Sequence, residues 1–185
     1  MDVCIDCSKE VIETKRLILR GWKEEDIKDM FEYASVKGVG EMAGWKHHET
    51  IEETHKIISD FISEKNVFAI VCKENEKVIG SLGLHHSRLN DNEIYKNMKI
   101  KEIGYVLSKD YWGKGLMPEA VKAVIAFCFE KHSLEALTIQ HGSTNSQSEK
   151  VIKKCGFTLM EKGRNFSQFL QTYGDEMKYI LLRDQ

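Results

Sequence analysis

The segment Trp112-Gly113-Lys114-Gly115-Leu116-Met117-Pro118-Glu119-Ala120 holds the residues best spaced for chemistry in this chain. Two glycines flank a lysine just after a strand-like run, and an apolar-periodic stretch follows. Such a turn aims several backbone N–H groups at one point at the start of a helix. The amides and the helix dipole both favour negative charge there, so the turn is expected to bind a phosphorylated ligand. Lys114 has two readings, a charge-assisted contact to phosphate or a solvated loop lysine.

Metal chemistry is less well supplied. Cys4-Ile5-Asp6-Cys7 has CxxC spacing, but no second cysteine pair stands at zinc spacing. Residues 1–10 are therefore read as a reduced, mobile N-terminal segment. In the pairs His47-His48 and His85-His86, adjacent side chains point to opposite faces of a strand, so neither pair suits one ion. No metal site is expected.

The chain that must position these residues has 185 of them, which suits one domain, 1–185, with a substantial core. A net charge of −2 supplies no basic footprint for nucleic acid. No apolar run is long enough for a membrane span, and the N-terminus lacks a basic region followed by an apolar stretch. The expected location is cytoplasmic. Five scattered cysteines, an odd number, argue against a disulfide framework.

The periodicity predicts a first strand over 15–20, a helix over 24–34 and a glycine-rich loop over 37–47. Thr50-Ile51-Glu52-Glu53 matches a capping box and opens a second helix, with Ile51, Ile58, Phe61 and Ile62 expected inward. Strands follow at 67–72 and 78–84, joined by a polar turn. After a surface loop over 90–97, the strand KEIGYVL spans 101–107 and runs into the glycine turn. Pro118 fits the first turn of the next helix, where its missing N–H costs nothing. A strand over 136–140, a helix over 145–155 capped by Gly156, and strands over 157–160 and 177–182 complete the chain. The order β-α-α-β-β-β-α-β-α-β-β points to an α+β fold, with a mixed twisted sheet of about seven strands flanked by about four helices. An exposed strand edge would be able to pair two copies into a homodimer.

Five pieces in this order resemble the GNAT superfamily of acyl-CoA-dependent N-acetyltransferases, over nearly the whole chain. They are ETKRLILRGWKEED, GWKHHETIEET, KVIGSLGL, EIGYVLSKDYWGKGLMPEA and NSQSEKVIKKCGF. The branch they are most similar to holds the ribosomal-protein N-terminal (serine/alanine) acetyltransferases. The resemblance implies a GNAT-like fold, acetyl-CoA as donor and a primary amine as acceptor. It also implies that the strand EIGYVL diverges from the next one, with the pantetheine arm between them. The pyrophosphate would sit on Gly113, Lys114, Gly115, Leu116 and Met117, flanked by Trp112.

By the same resemblance, Glu102 matches the acidic residue that serves as base; its other reading is a strand-edge carboxylate paired with a lysine such as Lys101. Backbone N–H groups at Val106 and Leu107 would polarise the thioester carbonyl. Asn145 would bind the pantetheine, although its position equally suits an N-cap. Ser148 would assist the departing sulfur, where many members of the superfamily place a tyrosine instead. Of Lys150, Lys153 and Lys154, one would reach the adenosine 3′-phosphate, with Lys154 the candidate, or all three form a solvated basic face. Trp45, His47 and Phe166 are the candidate walls of the acceptor site, from the loop Gly44 to His48 and the segment Arg164 to Tyr173.

The expected activity is direct acetyl transfer to a protein N-terminal α-amine, such as that of a ribosomal protein. No cysteine falls in the thioester segment, which disfavours a covalent enzyme intermediate. Two alternatives remain, acetylation of a small amine such as a polyamine or an aminoglycoside, and a non-catalytic acyl-CoA-binding module.

Overall fold

A computed structural model describes residues 2–167 and 171–183. In chain order its elements are β1 (Val11–Glu13), β2 (Leu17–Arg20), α1 (Ile27–Ala34), α2 (Val39–Met42), α3 (Ile51–Glu64), β3 (Val67–Cys72), β4 (Val78–His86), β5 (Ile100–Leu107), α4 (Leu116–Ala126), β6 (Ala136–Gly142), α5 (Ser146–Lys154), β7 (Thr158–Ser167) and β8 (Thr172–Leu182). One eight-stranded sheet runs in the order β1-β2-β3-β4-β5-β6-β8-β7. Every neighbouring pair is antiparallel except β5 and β6, which are parallel.

The unbroken apolar run of β3 marks a strand covered on both faces. Phe68, Ile70 and Cys72 join the core under α4 and α5, while Val67, Ala69 and Val71 join the core under α1 and α3. The same alternation divides β5. Ile103, Tyr105 and Leu107 face the α4–α5 side and Val106 faces the α1–α3 side. The fold is α+β as expected, with one strand and one helix more than the periodicity suggested. The added strand, β1, has three residues, too few to show alternation. The added helix, α2, is a single turn inside the glycine-rich loop.

Other local expectations shift by small amounts. Thr50 and Glu53 form the capping box of α3, but Ile51 at its first position is 39% exposed. The last two strands extend well past their apolar stretches, because polar residues on both arms keep pairing from Thr158↔Ile180 to Ser167↔Thr172. Where a free N-terminal segment was expected, Ile5 and Cys7 pack into the core at 4% and 0% exposure. Cys7 N–H also donates to the Lys65 carbonyl at 2.7 Å. Among the described residues, no helix is long and apolar enough to cross a membrane.

One departure from regular pairing creates the site. β5 and β6 pair only from Ile100↔Ala136 to Ile103↔Ile139. β5 continues to Leu107 and β6 to Gly142, so the two strands part beyond that point.

Candidate functional site

The parting of β5 from β6 adjoins a cavity of about 470 Å³. Its walls are the last residues of β5, the glycine turn, one side of α5 and the short helix α2. The lining contains two lysines, Lys150 and Lys154, and no carboxylate. It therefore favours an anionic ligand.

At one end lies the glycine turn. Gly113 and Gly115 both have φ +75°, a left-handed conformation that L side chains rarely adopt. An added Cβ at Gly113 would meet nothing within 4 Å, and one at Gly115 only Arg16 Nη2 at 3.7 Å. Backbone conformation rather than crowding by the protein explains the two glycines. Leu116 and Met117 begin α4, and their first-turn amides have no intrahelical acceptor. Trp112 lines the cavity and donates its indole N–H to the Leu107 carbonyl at 2.8 Å, which ties the end of β5 to the turn. The Lys114 ammonium lies 5.1 Å over the Tyr111 ring, outside the lining, and its carbonyl accepts from Arg16 at 2.9 Å.

At the other end, Asn145 caps α5, its Oδ1 accepting from the Ser148 N–H at 3.0 Å. Its amide donates to the Met42 carbonyl at 3.0 Å. Both ends of the side chain thus hold protein, joining α5 to α2 across the cavity. Ser148 is 8% exposed, and its hydroxyl lies 2.8 Å from the Tyr105 hydroxyl. Burial pushes the Tyr105 phenol above its usual range, so it stays protonated and can donate. Tyr105 escaped the sequence reading. The signal was present in EIGYVL, where alternation sends residue 105 to the face of α5 and residue 102 to the opposite face.

Glu102 accordingly sits on the α1–α3 face, at the closed end of the split. Its nearest polar contact is Thr138 Oγ1, 3.5 Å from Oε2. Burial raises its carboxyl above the usual range, Glu176 adds to that rise, and Arg88, Thr138 and Lys178 oppose it. Of the two amides expected to meet the thioester, one is used within the sheet. Ser108 N–H donates to Ile79 across β4 at 2.7 Å. Antiparallel alternation from that bond assigns Val106 N–H to its partner Ser81. Leu107 N–H, with Tyr105 N–H, points away from β4 toward the split.

The acceptor candidates fall outside the cavity lining. His47 Nδ1 lies 2.7 Å from Glu41 Oε1, and Trp45 packs over Gly40 with its ring 5.2 Å from that of His48. Phe166 packs against Tyr173, its register partner in the β7–β8 hairpin, with the rings tilted and their centroids 4.9 Å apart. Residues 168–170 of the segment Arg164 to Tyr173 lie outside the described residues. Among the described residues, no group of three or more His, Cys, Asp or Glu could hold a metal ion.

The profile of the acetyltransferase (GNAT) domain matches residues 16–158. An uncharacterized N-acetyltransferase, p20 of Bacillus licheniformis, is 29% identical over 153 residues, covering 80% of this chain and 82% of its own. The fold is similar to that of a GNAT-family acetyltransferase from Bacillus anthracis, with a TM-score of 0.80 and 21% identity over 94% of this chain and 98% of that one. It is also similar to a ribosomal L7/L12 alpha-N-protein acetyltransferase solved with coenzyme A, with a TM-score of 0.75 and 19% identity over 95% and 99% of the two chains.

Proposed function

The chain belongs to the GNAT acetyltransferase family, and from that premise we propose that residues 1–185 act as one domain that transfers acetyl from acetyl-CoA directly to a protein N-terminal α-amine. The observation that carries this reading is the Tyr105–Ser148 hydroxyl pair. It flanks an acid-free cavity with a glycine turn at its other end and a strand split beside it. These residues fit acetyl-CoA. The amides of Leu116 and Met117 would hold the pyrophosphate, with Lys150 and Lys154 available to further phosphate. Acetyl-CoA, when bound, supplies the activated acyl group.

The chain's own residues would then do the following. Glu102, raised by burial, takes a proton from the acceptor ammonium, which is otherwise charged at neutral pH. Leu107 N–H, facing the split, steadies the negative charge that develops on the carbonyl oxygen. Tyr105 donates to Ser148, which leaves the Ser148 hydrogen free to meet the departing sulfur. Glu102 works from one sheet face and the hydroxyl pair from the other, so amine and thioester would meet through the split.

A protein N-terminus is favoured by the likeness to the ribosomal L7/L12 alpha-N-protein acetyltransferase. That acceptor would place the activity in the cytoplasm. Thiol release from acetyl-CoA, followed over three acceptor panels, tests the reading. Peptides with free N-termini are expected to be acetylated at the α-amine, faster than the same peptides N-blocked and faster than polyamines or aminoglycosides. A small amine turned over faster than every peptide would move the acceptor class.

A further inference from the structure

Two hydroxyl side chains stand in line behind Glu102. Ser87 follows β4 and Thr138 lies in β6, and they are 1% and 5% exposed. Ser87 Oγ lies 2.9 Å from Thr138 Oγ1, which lies 3.5 Å from Glu102 Oε2. The last contact is long, as hydrogen bonds at a catalytic group commonly are before substrate completes the site. Parallel pairing puts Thr138 beside Glu102, so the line is built into the register.

Its direction is set at the far end. Leu89 N–H donates to Ser87 Oγ at 3.3 Å, and a backbone amide cannot reverse. Ser87 has one hydrogen, and Thr138 Oγ1 is the acceptor beside it. Thr138, receiving that hydrogen, donates its own to Glu102. The opposite order would make Glu102 donate to Thr138 and Thr138 to Ser87. The Ser87 hydrogen, buried away from water, would then lack an acceptor, which folded proteins avoid.

We propose that Ser87 and Thr138 are positioning residues that keep Glu102 Oε2 a hydrogen-bond acceptor in both protonation states, so that the proton of the acceptor amine is taken at Oε1. The proposal rests on the reading of Glu102 as the base. In the step itself an N–H bond of the ammonium breaks and an O–H bond forms at Oε1. The electron pair stays on nitrogen, which is left neutral and able to attack. No further reactant is needed.

Burial pushes the Glu102 carboxyl up, and donation from Thr138 works against it by favouring the charged form. The other groups facing Glu102 are Arg88 after β4, Glu176 and Lys178 on β8, and His85, its cross-strand partner on β4. A Thr138→Val variant changes none of them, so a change in Glu102 reports the lost hydroxyl.

The test is the pH dependence of kcat/KM for Thr138→Val, Thr138→Ser, Ser87→Ala and Glu102→Gln, beside a carbon-13 NMR titration of the Glu102 carboxyl. Thr138→Val is expected to move the acid limb up by about one pH unit and to lower the rate on that limb roughly tenfold. The KM for acetyl-CoA should stay as it was. Thr138→Ser should restore the limb, and Ser87→Ala should shift it less in the same direction. If Thr138→Val fails to fold, the Ser87→Ala titration decides alone. An unmoved limb and an unmoved carboxyl titration, with Glu102→Gln crippled, overturn the line of hydroxyls alone. Full activity in Glu102→Gln overturns the reading of the base, and this proposal with it.

Discussion

At the scale of single residues, the two hydroxyls at the cavity wall make a coupled unit. Ser148 is buried at 8% exposure, and the Tyr105 phenol is held protonated by its own burial. A protonated phenol 2.8 Å from a serine hydroxyl ties the two groups together, so a change in one alters the hydrogen bonding of the other. Removing either member should therefore damage the same step. Tyr105→Phe and Ser148→Ala are each expected to lower kcat by roughly tenfold or more, with little change in the KM for acetyl-CoA. The double variant should be no worse than the poorer single one, because each change already breaks the pair. Steady-state thiol release for the three variants measures this, and additive losses would mean that the hydroxyls act independently. Much of this site was legible in the chain. Gly113, Gly115, Asn145 and Ser148 announced a turn and a helix start. Tyr105 was missed because its meaning depends on what α5 brings opposite it, and contacts across elements leave no mark on local periodicity.

At the scale of elements, the cavity depends on how α2 and α5 are joined. Loop 37–47 reads as irregular because its glycines disfavour helix and its apolar residues are sparse. Its one turn of helix is held by polar side chains, from within the loop and from α5. Glu41 accepts from Gly38 N–H at 2.7 Å and lies 2.7 Å from His47 Nδ1. Burial raises its carboxyl, but these bonds outweigh that and hold it at about 2. From the far side, Asn145 grips the Met42 carbonyl. The two ends of the Asn145 side chain do separable work, and substitutions can separate them. Asn145→Asp keeps an N-cap acceptor and adds a charge that the helix N-terminus favours, so stability should hold. It loses the donor to Met42, so α2 should loosen and the KM for acetyl-CoA should rise several-fold. Asn145→Ala loses both and should cost about 1 kcal/mol of stability as well. Thermal melts read beside KM distinguish the two. An unchanged KM in Asn145→Asp would show that the tether to α2 does not shape the cavity.

At the scale of the whole molecule, the segment before β1 closes one end of the sheet. Nothing local in residues 1–10 suggests this, since their spacing reads as a loose thiol-bearing stretch. The reason lies far along the chain, in Lys101 on β5. Alternation puts Lys101 on the face opposite Glu102, and its side chain is 8% exposed. A lysine so placed needs a counter-charge, because an unpaired buried ammonium is costly. Asp2 supplies it at 2.8 Å and also lies 3.4 Å from His86 Nδ1, while Ile5 and Cys7 fill the core behind. Lys101 is therefore paired with the N-terminal segment rather than with Glu102, which leaves that carboxylate for the opposite face. Asp2 is 47% exposed, so water screens the pair and its loss should cost less than that of a fully buried one. Asp2→Asn is expected to destabilise by about 1 kcal/mol. Burial raises the Asp2 carboxyl, but the hydrogen bond and charge of Lys101, with help from His86, bring it below its ordinary 3.8. A depressed carboxyl contributes stability that is present above its unfolded pKa and is lost as pH falls through the folded one. The parent protein should thus lose the Asp2 contribution only below about pH 4. Asp91 and Asp2 raise the His86 imidazole above 6.5, so the gap in melting temperature between parent and Asp2→Asn should grow slightly as His86 takes its proton and narrow only below about pH 4. A gap that kept widening below about pH 4, or a variant that melted with the parent at every pH, would mean that Lys101 is held by something other than Asp2.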